Sequence, residues 1–226
     1  MSFHFNIRYE YILKGRKNLF YSFIRVVARF IVFVLNGNAH YENKDKLPKG
    51  NYILVAPHRA WFDMIYFALA AAPKKFCFMA KKELFKNPIL KFILVHANAF
   101  PVDRENPGAS AIKKPVKLLK STDLSLIIFP SGTRHSQNLK GGAVLISKLS
   151  GVPLVPVVYQ GPVTFKDLCK RQKLTVRFGD PIEVDRKMKL TDENQAEILE
   201  KMNQAFDKLD KEIDPNYHYV DPHPKK

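Results

Sequence analysis

A histidine and an aspartate five positions apart, His58 and Asp63, interrupt an otherwise largely apolar passage, Ala-Pro-His-Arg-Ala-Trp-Phe-Asp at 56–63. A carboxylate that accepts one imidazole N–H sets the tautomer and leaves the other ring nitrogen free to take a proton. The pair is therefore a candidate general-base dyad. Its spacing limits how it can form: five residues along a regular helix turn through about 500°, which points the two side chains roughly 140° apart. They meet only if His58 lies in a turn and Asp63 in the first turns of the helix that follows. Pro57 suits that corner, being at home at a strand end or a first helical position. Taken alone, His-x4-Asp is a weak signal, because such pairs are common and mostly structural.

A second group, Phe-Pro-Ser-Gly-Thr-Arg-His at 129–135, follows another apolar run. Ser131, Gly132 and Thr133 are small enough for backbone N–H groups to face an anion, and Arg134 can fork two phosphate oxygens. The stretch is not a Walker loop, and the chain has no Gly-x-Ser-x-Gly elbow to supply a serine nucleophile. Taken alone, it reads equally well as a surface turn with a solvated arginine. Lys140-Gly141-Gly142 extends the same rim, Arg104 closes Phe-Pro-Val-Asp-Arg at 100–104, and Lys81 and Lys82 end a further apolar run.

Elements that would hold these groups are legible in the hydrophobic pattern. Apolar runs at 52–56, 76–80, 94–100, 124–129, 154–159 and 174–178 read as strands. Segments 61–72, 82–93, 109–120, 143–150 and 191–213 read as helices. Alternation of this kind implies an α/β fold: a mixed, largely parallel sheet flanked by helices, with sites where strands end. Pro153 and Pro156 suggest that the strand at 154–159 lies at an edge or starts there. Thr191, Asp192 and Glu193 suit a helix N-terminus, and Ile198, Met202, Phe206, Leu209 and Ile213 give that helix one apolar face.

The chain has 226 residues and a formal net charge of +16, which favours a polyanionic partner. Residues 1–50 hold nine Lys and Arg against three Asp and Glu. Of the 17 residues Leu19–Leu35, 14 are apolar, and Ser22, Arg25 and Arg29 form a narrow polar stripe. A spanning helix would place both arginines near mid-bilayer, at roughly 2.5–3.5 kcal/mol each. A helix lying in the interface would instead turn the stripe to phosphates and water and sink Phe20, Phe23, Phe30 and Phe33 into the acyl region. Lys14, Arg16 and Lys17 would add attraction to anionic lipid. An ordinary core helix with snorkelling arginines is the other reading. The domain organisation expected is a helical membrane-interface segment at 1–36, an α/β domain at 37–214 and a flexible tail at 215–226. Two cysteines, without metal or disulfide spacing, and the lack of a secretory signal pattern lead us to expect a reducing compartment.

With these blocks in order, the chain resembles the glycerolipid acyltransferases, specifically the bacterial 1-acylglycerol-3-phosphate (lysophosphatidate) acyltransferases. Residues 58–63 resemble the family's His-x4-Asp motif, 100–104 its second block, 129–134 its Phe-Pro-Glu-Gly-Thr-Arg block and 152–158 its proline-containing fourth. Leu47-Pro48-Lys49-Gly50 and Met79-Ala80-Lys81-Lys82-Glu83-Leu84 are also similar to family text. The likeness covers about residues 15–185. Three positions depart from the usual pattern: Pro57 stands for Asn, Ala60 for Ser, and Ser131 for a functional Glu.

The resemblance implies transfer of a fatty acyl group from an acyl-CoA or acyl-ACP thioester to the free sn-2 hydroxyl of lysophosphatidate, giving phosphatidate. It assigns His58 as base, Asp63 as its orienting acid, and Arg104, Arg134 and Lys81 to the acceptor phosphate. Ser131 and Thr133 fall on the same rim, with Gly132 near the oxyanion. It implies coenzyme A or acyl carrier protein as donor partner, membrane lipid as the medium, and a peripheral or monotopic place on the cytoplasmic face of the cell membrane. It calls for no metal or redox cofactor. Alternatives left open are acylation of glycerol 3-phosphate or another lysophospholipid, and a non-catalytic lipid or nucleic-acid binder, although no nucleic-acid motif is recognisable.

Overall fold

The computed structural model describes residues 19–37, 39–103, 106–134, 136 and 138–221, with Phe165 described for its backbone alone. Its elements run in chain order α1 (Leu19–Asn36), β1 (His40–Glu42), β2 (Ile53–Val55), α2 (Asp63–Ala70), β3 (Lys75–Lys81), α3 (Pro88–His96), β4 (Ala99–Val102), α4 (Ser110–Ser121), β5 (Leu124–Ile128), α5 (Gly142–Ser150), β6 (Leu154–Gln160), α6 (Phe165–Leu168), β7 (Thr175–Phe178) and α7 (Asp192–Ile213). Short 3-10 turns lie at Lys44–Lys46 and Lys82–Phe85.

Seven strands form one sheet in the order β1-β7-β6-β2-β5-β3-β4. The pairs from β6 through β4 are all parallel, β7 runs antiparallel to β6, and β1 runs parallel to β7. Five strands therefore end at one edge of the sheet, which is where an α/β protein builds a site. Central β2 is buried on both faces: Leu54 enters one core layer with Phe67, Val155 and Phe178, while Ile53 and Val55 enter the other with Leu126, Ile146, Met202 and Phe206. Helices α1 and α2 cover the first face, and α4, α5 and α7 the second. This is the expected mixed, largely parallel sheet flanked by helices.

Local chemistry moves some boundaries. The segment 82–93 does not form one helix. Pro88 has no N–H to continue the turn before it, and Asn87 starts a new helix by accepting from the Ile89 and Leu90 amides at 3.0 Å each. Helix α3 then runs to His96 and is stopped by Asn98 at φ 64°, so β4 begins at Ala99 rather than near residue 94. Strand β6 is interior, between β7 and β2, and not at the edge that its prolines suggested. The β6–β7 ladder begins only at Val157, opposite Phe178, and the bridge Leu154–Ile182 lies one residue out of that register. Pro156 falls in this gap, where a ladder amide is not needed, and its carbonyl accepts from Gly179 at 2.8 Å.

Helix α1 is docked along one stripe only. Tyr21, Val32 and Asn36 are buried, and the Tyr21 hydroxyl accepts from the Phe76 amide at 3.2 Å. Arg25 is half-buried and donates to the Pro73 carbonyl at 2.9 Å at the protein surface, while Arg29 is exposed. Phe20 packs edge-on against Phe92 and His96, whereas Phe23, Phe30 and Phe33 are exposed. The helix thus shares in the α/β core and keeps a broad apolar outer face. Lys14, Arg16 and Lys17 lie outside the described residues. Within the described part of the 215–226 tail, Tyr217 and Tyr219 lie against the Arg59 guanidinium.

Candidate active site

The chain leaves β2 at Val55, turns through Pro57 and His58, and enters α2 at Asp63. In that corner His58 Nδ1 lies 2.9 Å from Asp63 Oδ2. The Asp63 carboxylate is fully buried and accepts two amides of the same turn, Arg59 N–H to Oδ2 at 2.7 Å and Ala60 N–H to Oδ1 at 2.8 Å. Asp63 therefore folds the loop and orients the ring by one set of bonds. With Nδ1–H given to the carboxylate, Nε2 is the nitrogen left to accept a proton. One face of the imidazole is stacked on Phe129, with centroids 4.1 Å apart and planes at 16°. Phe129 follows β5, the neighbour of β2, so sheet order alone brings the two motifs together.

Tyrosines line the buried side of the dyad. The Tyr159 hydroxyl is held protonated well above the ordinary tyrosine range, first by burial and then by the Asp63 carboxylate beside it. Tyr66 is shifted the same way for the same two reasons. Neither competes with His58 as a base near neutral pH.

The second block forms a rim beside this corner. The turn closes by the Gly132 amide donating to the Phe129 carbonyl at 2.9 Å, with Gly132 at φ +71°, where a side chain would be strained. The Gly132 amide is thus engaged within its own turn. Ser131 is buried and its hydroxyl donates to the Thr133 carbonyl at 2.7 Å. It braces the loop instead of presenting a donor to a ligand. Arg134 is exposed, and a Cβ on Gly132 would lie 3.8 Å from Lys140 Nζ, which puts that ammonium on the same rim. Lys81, at the end of β3, is half-exposed and 3.8 Å from Glu83. Lys82 is bonded to Asp103 just past β4. Arg104 lies outside the described residues.

Parallel strands about 4.8 Å apart place the end of β3 roughly 10 Å from the end of β2. The strand between them, β5, leads into the block that ends at Arg134. No cluster of three or more metal-ligating side chains occurs among the described residues.

Arg59, the residue directly after His58, escaped the sequence reading. It is 5% exposed. Its Nη1 donates to the Tyr159 carbonyl at 2.5 Å and to Asp210 Oδ1 at 3.1 Å, and Nη2 bonds Asp210 Oδ2. Burial, the largest single influence, opposes its charge, but Asp210 together with Tyr217 and Tyr159 outweighs it and the group is pushed above the ordinary arginine value. No local signal marks it: Asp210 lies on the flank of α7 beside Leu209, as Asp207 lies beside Phe206, and Asp207 is exposed.

Residues 38–160 match the Acyltransferase family model. The chain is 47% identical over 208 residues to the 1-acyl-sn-glycerol-3-phosphate acyltransferase of Streptococcus pneumoniae, covering 91% of this chain and 79% of that one. It is 39% identical over 188 residues to the enzyme of the same name from Bacillus subtilis, covering 81% and 94%. Among solved structures, the 1-acyl-sn-glycerophosphate acyltransferase of Thermotoga maritima shares the fold, with a TM-score of 0.64 over 97% of this chain and 86% of that one at 21% identity. A dyad at the strand-end edge, the order of the motifs and these matches agree: the chain belongs to the acyltransferase family.

Proposed function

We propose that this enzyme transfers a fatty acyl group from an acyl thioester to the free sn-2 hydroxyl of lysophosphatidate, giving phosphatidate and a free thiol. The observation that carries the reading is the 2.9 Å His58–Asp63 bond at the strand end, with His58 stacked on Phe129 of the block that ends in Arg134. His58 Nε2 takes the hydroxyl proton as the oxygen attacks the thioester carbonyl. The tetrahedral intermediate expels the thiolate, which receives that proton from the imidazolium, and Asp63 stabilises the charge in between. Arg134, Lys81 and Arg104 bind the acceptor phosphate and hold the hydroxyl toward the base. Coenzyme A or acyl carrier protein enters as co-substrate, and the reaction as written needs neither metal nor redox cofactor.

Helix α1 supports a membrane-surface setting. It is 18 residues long with a mean hydropathy of 1.8 and only 17% buried, long and apolar enough to cross a bilayer by length and composition. We favour an interfacial position on the cytoplasmic face. The same stripe that docks on the α/β domain brings the outer face of α1 beside Phe92 and Ile93 of α3, which are also exposed.

Purified protein with labelled acyl-CoA and acyl-ACP, each offered lysophosphatidate, glycerol 3-phosphate and another lysophospholipid, tests the reading. Acylation of lysophosphatidate in preference to the others is expected. His58→Ala should lower kcat by about 10²–10⁴. Turnover close to wild type in the folded variant would remove His58 as the base, and preference for another acceptor would replace the substrate.

A further inference from the structure

Arg59 is held at three points (amide, carbonyl and guanidinium) by four parts of the chain. Its amide donates to Asp63 Oδ2, the oxygen that also bonds His58. Its carbonyl accepts from the Tyr219 hydroxyl at 3.1 Å. Its guanidinium bonds the Tyr159 carbonyl at the end of β6 and the Asp210 carboxylate on α7. The rings of Tyr217 and Tyr219 lie 5.1 and 5.5 Å from the guanidinium carbon. Asp210 is itself oriented, since Gln160 Nε2 donates to its carbonyl at 2.8 Å and to Oδ1 at 3.3 Å. Both peptide planes flanking Arg59 are thereby fixed, and these planes set where His58 stands relative to Asp63.

Stability alone is a poor explanation for this network. A buried ion pair loses in desolvation much of what it gains in attraction, and an apolar pair of similar volume would serve a core as well or better. The Arg59 Nε–H is moreover buried without a hydrogen-bond partner, a cost carried by the same arrangement. What the network does achieve is to tie the turn bearing the dyad to the last helix and the C-terminal segment, some 150 residues away.

We propose that Asp210, with Tyr219, is a positioning residue for acyl transfer, acting through Arg59 to hold the His58–Asp63 corner in register. The proposal rests on the acyl-transfer reading. Wild-type protein that failed to acylate lysophosphatidate would undo that reading before any variant was compared.

The test is steady-state kinetics of full-length Asp210→Asn, Asp210→Glu and Tyr219→Phe with lysophosphatidate and an acyl thioester, rates being normalised to the folded fraction from near-ultraviolet dichroism. Asp210→Asn keeps the shape and removes the charge. Its kcat should fall about 10–100-fold with the acceptor KM within roughly two-fold, the signature of a misplaced base rather than a lost binding contact. Asp210→Glu should recover part of the rate, and Tyr219→Phe, which deletes one hydroxyl, should lose several-fold. An unchanged kcat in folded Asp210→Asn overturns the proposal. So does a rate loss that disappears on normalisation, which would make the ion pair a folding device only.

Discussion

The two motifs flank the same pair of neighbouring strands yet are built in opposite ways. Around His58, Asp63 is fully buried, three donors share its carboxylate, and the ring is stacked on Phe129. Around Arg134, the backbone turn is closed and Ser131 braces it, but Arg134, Lys81 and Lys140 stand in solvent. Proton transfer requires heavy atoms within hydrogen-bond reach, so its groups are held from every side. Capture of a phosphate at a lipid surface is tolerant of position, because long cationic side chains can follow the ligand. On the proposed roles, rigidity falls where geometry would limit the rate, and freedom where charge would be enough.

Removing the carboxylate should break this contrast most severely. Asp63→Ala strands the buried amides of Arg59 and Ala60, at about 1–3 kcal/mol each, and also frees the His58 ring. Loss of acyl transfer comparable to that of His58→Ala, together with a markedly lower Tm, is expected; His58→Ala should lose the activity with much less loss of Tm. Equal melting temperatures for the two would mean that Asp63 does not fold the corner.

On the rim the same comparison predicts the reverse. Arg134→Ala should leave Tm within experimental error and raise the acceptor KM by about ten-fold, the size of one charge-assisted hydrogen bond to phosphate. A change confined to the acyl donor's KM would show that the phosphate and thioester sites have been exchanged.

The smallest effect concerns the sheet beneath both regions. Burial pushes the Cys77 thiol up to about 12, whereas Cys169 is exposed. Because the folded pKa lies above the unfolded value near 8.5, the fold retains this proton longer than the open chain. The associated stability is complete below about pH 8.5 and is lost as pH climbs toward 12. At pH 8 a disulfide reagent should titrate one thiol of the two in the folded protein and both after denaturation. Two fast thiols in native protein would show that the sheet is not closed over Cys77.

Much was readable from residue order because the determining interactions are local or periodic. Apolar runs of strand length separated by amphipathic helices dictate a layered α/β fold, and Thr191 caps α7 through its hydroxyl as its position suggests. Pro57 before His58 announces a corner, and a corner is the only place where a five-residue spacing can join imidazole and carboxylate. What residue order could not reveal was which strands become neighbours. Strand β1, His-Tyr-Glu at 40–42, has no apolar run and exists because β7 offers it a free edge. Pro156 is tolerated inside the sheet only because the partner strand slips by one residue there.

Ser131 and Gly132 have the residue types of a phosphate cradle, yet closure of their own turn consumes the hydroxyl and the amide. The stacking of His58 on Phe129 and the joining of Arg59 to Asp210 link residues 71 and 151 positions apart, and nothing in a local window carries that information. Periodicity decided that several strands would end at one edge of a sheet, and the order of the motifs, through the family resemblance, pointed to His58 and Asp63 at that edge. Tertiary packing decided how tightly that site is held, because the holding groups come from strands and helices that meet only after the chain has folded.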